Sequence, residues 1–173
     1  MDTSDARARV ERVVKLQEQI EAATLVWKPA PVTAGLIDSA AGGEVALATV
    51  PLERVVGDGE TTTARVAVVT ESFVVLASFT DAWPAETWGD PVTDGPVVLQ
   101  VLRRSSIIDL RVELDGVTRS GDRSDVPLGR VPKAARVTAR FRDTDQVLTF
   151  TGTLPPFDVQ AVYAELLAGL RAS

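Results

Sequence analysis

The chain has 173 residues, 45% of them hydrophobic, and its formal net charge is −6 at pH 7. This size and apolar content are sufficient for a single domain with a hydrophobic core. The absence of cysteine and histidine excludes disulfides, thiolate zinc sites, cysteine nucleophiles and Ser-His-Asp triads. The negative charge argues against general binding to nucleic acid or to an anionic membrane, because long-range repulsion opposes both.

The apolar runs and the residue usage bear on cellular location. The first stretch, "MDTSDARARVERVV", is charged and has no apolar signal-peptide core. Runs such as "FVVLA" are far shorter than the ~20 residues that a membrane span requires. Arginine outnumbers lysine and asparagine is absent, which is typical of a GC-rich bacterial genome. We therefore expect a bacterial cytoplasmic protein.

The first predicted element in chain order is a helix from residue 5 to about residue 27. Apolar side chains recur there at steps of three and four residues, which predicts one apolar stripe. Val10, Val13 and Ile20 lie on this stripe and are candidate partner-binding residues. The stripe docks either on its own domain or on a partner, which includes a second copy of the chain.

The segment after this helix predicts a linker. Pro29 and Pro31 each remove a backbone donor and disfavour helix in the preceding residue. We therefore divide the chain into an N-terminal helix over 1–28, a linker over 29–43 and a main domain over 44–173.

After the linker the pattern changes to short β segments separated by turn residues, which is typical of an antiparallel sandwich or barrel. In one of them Val137, Ala139 and Phe141 alternate with polar residues, so one face of that strand is buried. The seven predicted segments are residues 44–55, 62–70, 73–79, 97–103, 107–114, 135–142 and 146–152.

The chain closes with an amphipathic helix predicted over 158–171. Val162, Leu166 and Leu170 recur on one side of it and are expected to face the core. The predicted fold class is therefore α+β, mainly β, with seven antiparallel strands between an N-terminal and a C-terminal helix.

Three stretches carry a family resemblance: "ARVAVVTESFVVLASF", "RRSSIIDLRVELDG" and "RVTARFRDTDQVLTFTGTLPPFDVQAVYAELLAGL". They resemble the bacterial pleckstrin homology (PH)-like domain family. The resemblance covers about residues 44–171 and leaves the N-terminal helix outside. It implies a seven-stranded antiparallel barrel capped by the C-terminal helix. It also implies a scaffold that binds phosphoinositides, peptides or protein surfaces more often than it catalyses.

The same resemblance implies a peptide groove between the fifth strand and the C-terminal helix. It makes Ile107, Asp109, Arg111 and Tyr163 candidate partner-binding residues. A second candidate surface is the long loop "TDAWPAETWGDP". Its side chains Trp83 and Trp88 either cap the barrel or contact a partner, because tryptophan serves both purposes.

A lipid-binding member of the family would carry basic residues between its first two strands. That loop is acidic here, "ERVVGDGETTTAR", which argues against phosphoinositide binding at this position. A local basic patch of Arg103, Arg104, Arg136 and Arg140 keeps the lipid alternative open. The competing interpretation of the last two is a solvated strand face paired with acidic residues.

Nothing in the sequence indicates catalysis, a metal or another cofactor. "RSGDRSD" and "RDTDQ" lack the ligand spacing of a calcium loop, and the serines have no histidine to activate them. We expect a noncatalytic protein–protein interaction or assembly module of a bacterial intracellular multi-subunit complex, which binds a protein partner or itself. The alternatives are a peripheral membrane adaptor that binds lipid headgroups, and a small-molecule-binding or hydrolytic barrel.

Overall fold

The fold is seen in a computed structural model, which divides into two compact units, Met1–Leu102 and Arg103–Ser173. We call them the N-terminal unit and the C-terminal unit. The residues that the structure describes are 3–24, 28–56, 62–82, 95–114, 135–142, 144–151 and 159–172.

The N-terminal unit combines two helices with an antiparallel sheet of order β1-β2-β3-β4. Its elements are α1 (Thr3–Thr24), α2 (Pro31–Ala40), β1 (Ala48–Val56), β2 (Thr62–Val69), β3 (Phe73–Ala82) and β4 (Val97–Arg103). The last of these ends one residue past the division between the units. The near-continuous apolar sequence of β2 and β3 is explained by burial on both faces, as at Val68 and Val69.

The segment predicted as a linker, 29–43, instead contains α2, so that prediction is wrong. Pro31 is the first residue of α2, a position where the missing N–H is not needed by the helix and the fixed φ of proline suits it. Gly42 and Gly43, with φ of 69° and 75°, end the helix. Their N–H groups donate to carbonyls of the last turn, including Gly43 to Asp38 at 2.8 Å.

Helix α1 forms part of the core of its unit. Leu16 and Ile20 are buried together with Ile37 of α2 against one face of β2 and β3. Ile20 of the predicted stripe thus docks on its own chain, whereas Val10 of the same stripe is exposed. Deletion of residues 1–28 would remove core side chains rather than a separable arm.

The C-terminal unit combines a three-stranded antiparallel sheet with one helix. Its elements are a single 3₁₀ turn (Arg104–Ser106), β5 (Ile107–Leu114), β6 (Ala135–Phe141), β7 (Val147–Thr151) and α3 (Val159–Arg171), and the sheet order is β5-β6-β7. Val162 and Leu166 of α3 are buried, which confirms their predicted core position, while Leu170 is half-buried.

The coarse fold prediction is confirmed within the described residues. The chain is α+β, and all seven strands occur in the predicted order, in two antiparallel sheets. The additional element is α2, so that the described residues contain three α-helices.

The packing of α1 is tested by comparing two apolar residues on the same helix. Ile20 is fully buried, whereas Val10 is 62% exposed. We expect Ile20→Ala to lower the free energy of unfolding by about 2–5 kcal/mol, because it leaves a cavity in the core. Val10→Ala should change it by less than about 0.5 kcal/mol. Urea denaturation measures both, and equal effects would show that α1 does not pack as described.

Candidate functional site

The solvent side of the C-terminal sheet is a polar surface. Strand alternation turns polar side chains from all three strands to one side, where they line a shallow depression of about 390 Å³. We call this surface the charged face. It consists of Asp109, Arg111 and Glu113 of β5, Arg136, Thr138 and Arg140 of β6, and Thr149 of β7.

The strand register sets opposite charges across the charged face. Asp109 lies opposite Arg140, and Glu113 lies opposite Arg136. This placement agrees with the interpretation of the β6 arginines as a solvated face with acidic neighbours, because directly opposed residues of opposite charge attract. Between these rows, the hydroxyl oxygens of Thr138 and Thr149 are 3.4 Å apart.

A β-bulge decides which residues of β5 reach the charged face. The pairing shifts between Ile107, which lies opposite Phe141, and Asp109, which lies opposite Arg140. Since one extra residue reverses the alternation, Ile107 points to the core side with Phe141. Strict alternation would have grouped Ile107 with Asp109 and Arg111, so its prediction as a partner-binding residue is wrong. Ile107 is fully buried.

The charges of this surface remain accessible to a partner. Arg111 and Glu113 approach each other at 3.6 Å between Nη1 and Oε1, with 65% and 44% of their side chains exposed. Exposed pairs of this kind stabilise a protein by only about 0–1 kcal/mol. Their side chains can therefore exchange this contact for one with a binding partner at little loss of stability.

The charged face contains residues that were predicted, from the sequence, to bind two different kinds of partner. Asp109 and Arg111, predicted for a protein partner, share the charged face with Arg136 and Arg140, predicted for lipid. Tyr163 is half-buried on α3, which packs along β5. The charged face was not recognised as one site, because only the β5–β6 register shows that the two groups are neighbours.

The other predicted contact residues lie outside the charged face. On α1, Val10 is exposed, Val13 is half-buried and Ile20 is buried in the core, so Ile20 is not available to a partner and that prediction is wrong. Trp83 and Trp88 lie outside the residues that the structure describes. Whether their loop caps the fold or contacts a partner stays a prediction.

Arg104 has a structural position that differs from its predicted role in lipid binding. Its side chain is 7% exposed, and Nη2 lies 3.0 Å from Glu165 Oε2 of α3. Gly169, one helical turn after Glu165, leaves room for it, since a Cβ there would lie 2.5 Å from Arg104 Cγ and 2.9 Å from its carbonyl oxygen. Arg104 thus joins the 3₁₀ turn to α3. Arg103 is exposed and stays a candidate.

Among the described residues, none of the helices combines the length and apolar character needed to cross a membrane. The same ranges contain no group of three or more acidic side chains placed to hold a metal ion. A scan against protein-family models, a search of curated proteins and a search of solved structures each return no match.

The fit of Arg104 against α3 is tested by two Gly→Ala substitutions in helices. Alanine normally stabilises a helix interior by about 0.8–1 kcal/mol relative to glycine, and Gly35 of α2 has open space around the new Cβ. We expect Gly35→Ala to raise the free energy of unfolding by about that amount. Gly169→Ala should instead lower it by about 1 kcal/mol or more, because Arg104 must move.

Chemical denaturation of the two variants distinguishes the sites by sign. A stabilising Gly169→Ala would contradict the close approach of Arg104 to α3.

Proposed function

We propose that the chain is a noncatalytic protein–protein interaction or assembly module of a bacterial cytoplasmic complex. The fold we propose for it is a PH-like barrel capped by α3. The order of elements supports this, because seven antiparallel strands in two sheets are followed by a C-terminal helix. The N-terminal helix pair is an addition to that order.

The charged face is the observation that carries the proposal. It combines three arginines with two acidic residues within one depression. A phosphate backbone or an anionic headgroup presents charge of one sign and would meet repulsion from Asp109 and Glu113. A protein surface presents both signs and can complement this pattern. Arginine is also enriched at protein interfaces.

The edge of the same sheet offers a second means of recognition. In the order β5-β6-β7, the outer edge of β5 has no neighbouring strand among the described residues. Ile108 and Val112 are exposed along this strand. An extended segment of a partner can pair with such an edge through its main chain and use apolar side chains for specificity. The partner we propose therefore presents a strand with charged residues beside it.

The basic patch that was predicted for lipid binding is only partly available to a lipid. Arg104 is engaged with Glu165 in the interior, and Arg136 and Arg140 stand opposite acidic residues. Arg103, like Arg136 and Arg140, is exposed. The small-molecule alternative is supported by a specific observation, a cleft in the N-terminal unit.

The proposed function is tested with a charge-reversal pair on the charged face. The variant Arg111→Glu/Arg140→Glu should release the partner, because both changes put acidic groups where a complementary surface meets arginine. The control Arg7→Glu/Lys28→Glu makes the same change in net charge at exposed positions of the N-terminal unit, outside the charged face. Tagged chains are expressed in the native host, and co-purified proteins are quantified by mass spectrometry.

With the purified partner, we expect the first variant to bind at least about tenfold more weakly than wild type and the control to bind within about twofold. Equal retention by both variants would refute the charged face as the interface. A loss of binding to anionic vesicles, with no protein partner affected, would instead support the lipid alternative. Circular dichroism confirms that each variant is folded.

A further inference from the structure

The N-terminal unit contains a cleft of about 380 Å³ between α1, the end of α2 and the segment that leads into β1. It lies within one compact unit and is separate in the sequence from the charged face. Its volume is in the range of small-molecule sites, which are about 300–1,000 Å³. The lining residues are Ala8, Glu11, Arg12, Lys15, Leu16 and Gln19 of α1, Asp38 of α2, Ala41, Glu44, Val45 and Ala46 between α2 and β1, and Val68 of β2.

The lining of the cleft is apolar at its inner side. Leu16, Ala41 and Val68 are buried members of the core cluster and reach the cleft from three different elements. Val45 is half exposed beside them. An apolar chain of a ligand would find here the surface that it needs to leave water.

The acidic residues of the lining are already engaged by the protein. Asp38 accepts from Arg12 Nε at 3.0 Å and is only 5% exposed. Glu11 pairs with Arg7 at 3.1 Å. Glu44 accepts a hydrogen bond from the backbone N–H of Ser72 at 2.8 Å. A cationic ligand would have to compete with these contacts.

The basic residues of the lining keep unused donors. Arg12 binds Asp38 through Nε and one terminal nitrogen, so that its Nη1 has no acceptor within the described residues. Lys15, one helical turn along α1, is exposed, and its ammonium group likewise has no acceptor in the ranges described. Two cationic donors with free N–H groups therefore stand beside an apolar surface, and this charge pattern complements an anion.

We propose that this cleft binds a small amphipathic anion, a free monocarboxylate with an apolar chain of medium length. The chain lies over Leu16, Ala41 and Val68, and the carboxylate accepts hydrogen bonds from Lys15 and Arg12. Arg12 is held in place by Asp38 on one side. On another, it lies against Gly43, where a Cβ would come within 3.2 Å of Nη2. The guanidinium is therefore largely ordered before a ligand arrives.

Octanoate is the probe, and its binding to the full chain is measured by isothermal titration calorimetry. The octyltrimethylammonium cation, with the same apolar chain and opposite charge, serves as the matched ligand control. We expect octanoate to bind and the cation to bind at least about tenfold more weakly, because the acids of the cleft are engaged, while Lys15 and Nη1 of Arg12 keep unused donors. Equal or tighter binding of the cation would overturn the proposal.

Two lysine variants locate the binding site. Lys15→Gln should weaken octanoate binding by about fivefold or more, because it removes the charged donor. Lys28→Gln removes an exposed lysine that pairs with Glu21 and does not line the cleft, so it should change binding by less than about twofold. Both are surface substitutions, which keeps loss of folding from obscuring the result.

NMR titration supplies the second readout. Octanoate should shift the methyl signals of Ala8, Ala41 and Ala46 together. Absence of octanoate binding, equal effects of the two lysine variants, or shifts confined to other residues would each overturn the proposal. None of these outcomes depends on the protein partner of the C-terminal unit, so the two proposals fail separately.

Discussion

The apolar face that β2 and β3 present on one side of the first sheet is the constraint on which the N-terminal unit depends. Val66 and Phe79 lie on that face and are fully buried, because α1 and α2 cover it. The ion pair between Arg12 and Asp38 then joins the two covering helices. A buried carboxylate is tolerated only with its partner in place, so this pair helps to fix the helices and the cleft beside them.

The C-terminal unit depends on the β-bulge at a single point of β5. The bulge after Ile107 turns that side chain inward and places Asp109 on the charged face opposite Arg140. If regular pairing continued from Ile107 without the bulge, Asp109 would lie opposite Ala139, and the polar residues of β5 would face the apolar side of β6. The bulge therefore creates both the core contact of Ile107 and the mixed charge of the outer surface, and a surface for a partner arises from the same backbone feature that completes the core.

Local patterns were enough to predict the strands and the two terminal helices, because alternation and turn residues act over short distances. The predictions were wrong where contacts between residues distant in the sequence determine the structure. Pro31 was interpreted as a helix breaker, although it begins α2. Ile107 was assigned to the wrong face, since periodicity alone does not reveal a bulge. The burial of Arg104 follows from Glu165 and Gly169, which are distant in sequence and one turn apart on α3.

The arginines discussed above fall into two groups, those whose charge stabilises the fold and those whose charge is exposed on the surface. The exposed charges lie at the candidate sites. Arg104 is buried against an acid of α3, so its guanidinium serves the fold. Arg111 and Arg140 are exposed, and exposed ion pairs contribute little to stability. Arg12 belongs to both groups, because one side of its guanidinium is held by Asp38 while the other lines a cleft. A basic residue held rigid by folding, but with a free donor, is well suited to recognise an anion, since little further order is lost on binding.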